Sequence, residues 1–170
     1  MSKEPARDRV QIFSIGHSDH TIEAFLDLLR QQMVAVVVDV RSQPYSRWAP
    51  QFNRVTLARD LKAAGIRYLF MGDSLGGRPA DPALYETDRE RPCYERVAQS
   101  AAYQAGIEQL LRLAEAEHVA VMCSEGDYHR CHRALLITPT LLKRGIRVFH
   151  IRPDGTVVEA QLKRRQLGLL

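Results

Sequence analysis

The sequence predicts a single α/β domain built on a mostly parallel sheet of about five strands, with helices on both faces. Three observations predict it. Five apolar runs punctuate the chain, most of them continuous rather than alternating, as strands covered on both faces must be. The segments between several of them carry apolar residues at helical spacing. The length of 170 residues suits one domain around one continuous core.

The first run, VQIFSIG at 10–16, follows a polar stretch at 1–9 that is expected to be flexible. Ile22, Phe25, Leu26, Leu29 and Met33 then recur as one face of a helix. The second run, VAVVVDV at 34–40, feeds the connection RSQPYSRWAPQFNR at 41–54, and the third, IRYLFMG at 66–72, feeds another that reaches about residue 96. Loops above ~12–15 residues are uncommon in compact domains unless they carry function or are disordered. Ile107, Leu110, Leu111 and Ala114 mark a further helix before the fourth run, HVAVMC at 118–123. Pro139 removes a backbone donor from the next helical pattern, so a kink or break is expected near 135–139. The fifth run is RVFHI at 147–151, and the tail at 160–170 can form a short helix with Lys163, Arg164 and Arg165 on a solvated face. LKAAGIRYLF and LLKRGIRVFH look alike because each needs a left-handed glycine where a helix turns into a strand.

Composition narrows the classes. An apolar fraction of 45% and a charged fraction of 26% exclude a disordered or membrane-embedded chain. No apolar run approaches the ~20 residues of a bilayer span, and MSKEPARDRV has no apolar signal core, so the expected location is cytoplasmic with no membrane partner. Three cysteines, an odd number, argue for free thiols. A net charge of +4 is compatible with anionic ligands and small for a dedicated nucleic-acid protein. Oligomeric state is not legible.

The densest chemistry lies in CSEGDYHRCHR at 123–133. A strand delivers Cys123 to the sheet edge, and a helix expected from near Asp127 carries Cys131, His132 and Arg133. A thiol near a helix amino terminus can have its pKa lowered, which makes Cys123 a candidate nucleophile; the competing assignment is a small buried core cysteine. Cysteine-dependent phosphatases place a Cys-x5-Arg loop at such a junction, whereas here Arg130 falls at Cys-x6-Arg. A rhodanese-like persulfide carrier would use the same placement. No metal or other cofactor is expected, because Cys123, His129, Cys131 and His132 lack the two separated ligand pairs of a zinc site. Helical residues turn ~100° each, so Cys131, His132 and Arg133 should not all face one point.

A second cluster, DVRSQPYSRW, sends Asp39 and Arg41 off the end of a buried strand. Buried Asp39 must fix an arginine or act in a site. Arg41 and Arg47 offer forks for phosphate or carboxylate, while Tyr45, Trp48 and Phe52 offer faces for stacking a base or for packing the loop down. In SIGHS, at 14–18, His17 is a plausible acid, base or helix cap.

SIGHS, DVRSQP with SR, SLGG, MCSE and CHR together resemble the domain-of-unknown-function 488 (DUF488) family of small prokaryotic proteins, from about Ile12 to His150. The family pattern falls on Gly16, His17, Asp39, Arg41, Pro44, Ser46, Arg47, Gly76, Gly77, Cys123, Glu125, Cys131, His132 and Arg133. Tyr128 stands where relatives often carry proline. The resemblance implies an α/β fold and a shared polar site, and no activity.

The expectation is therefore a cysteine-dependent hydrolase or transferase, or an enzyme-like protein, that binds a small anionic ligand such as a nucleotide at the carboxyl edge of the sheet. Cys123 would be the thiol centre, His17 or His132 would move protons, and Asp39 and Glu125 would orient them. Arg41, Ser46, Arg47, Trp48, Cys131, Arg133, Gly76 and Gly77 would bind the ligand. The alternatives are a non-catalytic nucleic-acid-binding module and a cysteine-based redox, sulfur-carrier or metal-binding protein.

Overall fold

A computed structural model describes residues 10–162 of the chain. The expected flexible segment at 1–9, and the expected helix of the tail from residue 163 onward, lie outside the described residues.

The five apolar runs form strands β1 (Gln11–Gly16), β2 (Val36–Asp39), β3 (Arg67–Phe70), β4 (Val119–Cys123) and β5 (Arg147–Ile151). They pair in parallel in the order β3-β2-β4-β1-β5. A sixth strand, β6 (Val157–Glu159), adds antiparallel to β5 at the edge. Its three half-exposed or exposed residues are too short a run to register as apolar periodicity.

Helices α1 (Ile22–Gln31) and α2 (Arg54–Ala63) cover one face, burying Phe25, Leu28, Leu29, Leu57 and Leu61 against Phe13, Ile15, Val37 and Met122. On the other side, α5 (Ala101–Ala116) and α6 (Thr138–Lys143) belong to the core of Ile12, Val36, Val38, Val119 and Val121. The short helices α3 (Gly72–Leu75) and α4 (Tyr94–Gln99) punctuate the long second connection. Gly65 and Gly145, at φ of 77° and 78°, are the expected left-handed glycines that turn α2 into β3 and α6 into β5.

The helix expected from Asp127 starts later. Tyr128–Arg130 is a single 3-10 turn, Cys131 is extended (φ −99°, ψ 148°), and helical backbone begins at His132. Arg133–Ile137 is a π-helical turn, closed by the Thr138 amide donating to the Arg133 carbonyl, and α6 resumes at Thr138. The irregularity expected around Pro139 thus takes the form of a π-helical turn, one inserted residue, just before it.

Candidate functional site

In an open parallel sheet, crevices form beyond the carboxyl ends of strands whose connections leave toward opposite faces. Here β2 leads to α2 on one face, and its neighbour β4 leads to α6 on the other. Beyond them lies a cleft of about 630 Å³ lined by Arg41, Ser42 and Gln43, by Gly77, Arg78 and Tyr94, and by residues of the segment from Cys123 to His132. Both long connections therefore contribute walls.

Two sulfurs form its floor. Cys123 ends β4 and Cys131 returns to it from outside the helix, so that their Sγ atoms lie 2.8 Å apart as free thiols. Because Cys131 is extended, the rotation expected of three consecutive helical residues does not apply. Cys131 and Arg133 both reach Cys123, and His132 Nδ1 lies 3.6 Å from Cys131 Sγ. His132 Nε2 donates to the Val40 carbonyl at 3.0 Å, which leaves Nδ1 as the nitrogen able to accept the Cys131 proton.

Arg133 lies beneath the floor, 1% exposed. Its Nε donates to Cys123 Sγ at 2.8 Å, one terminal nitrogen to Ser14 Oγ at 2.7 Å, and the other to the Glu125 carbonyl at 2.6 Å. Among the described residues none of these partners is a carboxylate. A buried cation without a counter-charge is costly, so the thiol pair is the group placed to carry the compensating negative charge. The Cys131 thiol is pushed down, first by its hydrogen bond with Cys123, with further help from His132 and the charge of Arg133. Burial pushes the Cys123 thiol the other way. The lowered thiol expected at Cys123 is thus found at Cys131.

Two glycines make this packing possible. A Cβ on Gly16 would fall 1.7 Å from the Glu125 carbonyl oxygen, and one on Gly77 would fall 2.9 Å from the His132 ring. Gly76 packs against the Gly72 carbonyl and Ser42, holding the wall that bears Gly77.

Several expected residues stand elsewhere. Asp39 and His17 reach the right edge but point to the opposite face. In the parallel ladders Gly16 is level with Cys123, and Asp39 with Met122, so His17 and Asp39 alternate away from the Cys123 side. His17, 4% exposed, stacks on Phe52 at 4.5 Å and donates Nδ1–H to the Ser18 carbonyl. Asp39 receives Arg41 Nε at 2.9 Å, an Arg41 terminal nitrogen at 2.8 Å and the Tyr68 hydroxyl at 2.6 Å. Arg41 also donates to the Phe52 carbonyl, so its guanidinium is committed to the loop although the residue lines the cleft. Arg133, expected to hold ligand, holds the thiols instead.

Ser46 accepts the amides of Trp48 and Ala49 while its own amide donates to Asn53, which shapes the 41–54 loop. Arg47 and Trp48 do not line the cleft; Trp48 is 88% exposed with the Arg47 guanidinium 5.7 Å from its ring centre. Glu125 does line it, and its amide also donates to Cys123 sulfur.

Sequence reasoning passed over Ser42, Gln43, Arg78, Tyr94 and Ser124 as cleft residues, and weighed Arg130 only for its spacing from Cys123. Arg78 directly follows the paired glycines, which was the available signal. Among the described residues no group of three or more His, Cys, Asp or Glu side chains is arranged to hold a metal ion, and no helix is long and apolar enough to cross a membrane.

No curated protein and no solved structure matches the chain. The sequence model of one family, described as Domain of unknown function DUF488, matches residues 21–138, a span that takes in the marked positions from Asp39 to Arg133 and leaves Gly16 and His17 outside.

Proposed function

The chain belongs to the DUF488 family, whose description assigns no activity, and on that premise we propose that it is a cysteine-dependent hydrolase or transferase acting on a small anionic substrate of nucleotide-like size. The observation that carries this reading is the carboxylate-free burial of Arg133 against a thiol pair at the floor of an open cleft. That arrangement favours a thiolate at neutral pH, which is the reactive form of the nucleophile.

Cys131 is the attacking sulfur. His132, oriented through Val40, takes up its proton, and Cys123 remains protonated beside it. Arg78 and Arg130 line the same cleft, and their guanidinium groups are the ones that would hold phosphate or carboxylate oxygens. Inorganic phosphate, pyrophosphate and a nucleoside monophosphate, titrated calorimetrically into the reduced protein, test the reading. Binding that weakens roughly tenfold in Arg78→Ala or Arg130→Ala supports it, and the absence of binding by any of the three defeats it.

A second reading rests on the exposed Trp48 and Tyr45 beside Arg47. These side chains suit stacking of single-stranded nucleic acid outside the cleft. Salt-sensitive quenching of Trp48 fluorescence by an oligonucleotide would favour that reading.

A further inference from the structure

We infer that Cys131 and Cys123 form a redox modification site: a dithiol that a hydroperoxide converts to an intramolecular disulfide, with Cys131 oxidised first and Cys123 resolving. The disulfide is the off-state of the cleft, a consequence that rests on the functional reading above; the bridge itself does not.

Geometry carries the pairing. With the sulfurs 2.8 Å apart, closure to the ~2.05 Å of a disulfide needs less than an ångström of travel. The two ends differ in how easily they can give. Cys123 is held in β4, level with Gly16 of β1. Cys131 follows a single 3-10 turn in a segment whose Ser124, Glu125, Asp127, His129 and Arg130 are exposed, and it precedes the helical backbone. Cys123 and Cys131 are both lining residues of the cleft, which gives a small oxidant its path.

The chemistry balances in two steps. The Cys131 thiolate attacks one peroxide oxygen and the O–O bond breaks. Sulfur loses two electrons to become a sulfenic acid, and the departing hydroxide becomes water on taking up a proton. Cys123 then gives up its proton and attacks the Cys131 sulfur. The S–S bond forms, the S–O bond breaks, and the hydroxide leaves as a second water. Two thiols and one hydroperoxide thus yield one disulfide and two waters, or a water and an alcohol where the hydroperoxide is organic.

The surroundings tolerate both states. Oxidation removes the negative charge facing Arg133, whose other nitrogens keep Ser14 Oγ and the Glu125 carbonyl as neutral acceptors. The cation is therefore still hydrogen-bonded after the bridge closes, but no longer neutralised. That imbalance favours re-reduction, so the bridge should be easily reversed by a small dithiol.

The test exposes the reduced full-length protein to one equivalent of hydrogen peroxide and maps its thiols by peptide mass spectrometry. The expected product has lost two hydrogens, joins Cys123 to Cys131, returns to the dithiol with dithiothreitol, and forms unchanged in Cys93→Ser. In Cys123→Ser the reaction should stop at a Cys131 sulfenic acid that dimedone traps. Three free thiols after treatment, a bridge to Cys93, or Cys131 driven to sulfinic acid without a bridge would each overturn the inference; should Cys123→Ser fail to fold, the wild-type map decides alone. A dimedone adduct at Cys123 in Cys131→Ser, with none at Cys131 in Cys123→Ser, would overturn the assigned order. Inorganic phosphate titrated into both forms separates the two proposals: a bridge that forms in a protein binding no anion leaves the redox site standing and removes the anion reading.

Discussion

Arg133 and Cys123, ten residues apart, meet with the guanidinium Nε donating to the sulfur over 2.8 Å, and that contact joins the helix after the cleft to the strand before it. It places a buried positive charge directly under the thiol pair. The same guanidinium reaches Ser14 on β1, so one side chain ties β1, β4 and the 124–130 segment together.

Arg133→Met should therefore cost more than a surface arginine would. It removes the cation of a buried pair and leaves Ser14 Oγ and the Glu125 carbonyl without that donor, a loss of about 3–5 kcal/mol in urea unfolding. Arg133→Lys should recover only part of it, because an ammonium cannot span three acceptors as a planar fork does. Thiolate absorbance at neutral pH should also fall in both variants. A Met variant as stable as wild type would refute the buried-pair account.

Alkylation separates the thiols. The hydrogen bond from Cys123, with His132 and the charge of Arg133, holds the Cys131 thiol below the ordinary thiol range. Its rate with a small haloacetamide should rise and level off at a lower pH than that of an ordinary thiol, which gains roughly tenfold per unit below its own pKa of ~8.5. Cys93, half-buried at the start of α4, serves as the internal comparison. Rates at Cys131 that climb in parallel with those at Cys93 would contradict the assignment.

Asp39→Asn tests the structural role found for the second cluster. The substitution leaves the buried Arg41 guanidinium without its counter-charge and weakens the bond from Tyr68. Stability should drop by about 3–5 kcal/mol. Phosphate binding per folded molecule should change little, since Asp39 does not line the cleft. Loss of binding with unchanged stability would restore a direct role in the site.

His150 predicts acid sensitivity. Burial first, and then the charge of Arg133, depress its pKa from 6.5 to about 4, and it stacks on Tyr128 at 3.9 Å while meeting Ser14 Oγ at 3.0 Å. The folded state holds the ring neutral whereas the unfolded chain protonates it near pH 6.5. Its contribution is thus fully present above pH 6.5 and is lost as pH falls through 4, at most roughly 3 kcal/mol. Buried His17 shifts in the same direction. Unfolding free energies of His150→Gln should fall less steeply over that window than those of wild type; equal slopes would exclude His150 as a source.

Local pattern made the strands, their direction and much of the rim legible. Continuous, β-branched runs such as VAVVVDV read as strands covered on both faces, and parallel strands bring Gly16, Asp39 and Cys123 to one edge. Gly65, Gly145 and Pro139 announced their turns because backbone stereochemistry is a property of single residues. The tertiary structure decided which of these residues share a site. Side chains alternate across a sheet with a period of two, so a register that sets Asp39 level with Met122 turns its carboxylate away from Cys123. Cys131 reaches Cys123 because it lies outside the helix, and Arg133 becomes the counter-ion of the thiols because none of its hydrogen-bond partners among the described residues is a carboxylate. Those outcomes depend on pairings between segments far apart in the chain, and local periodicity holds no information about how such segments align.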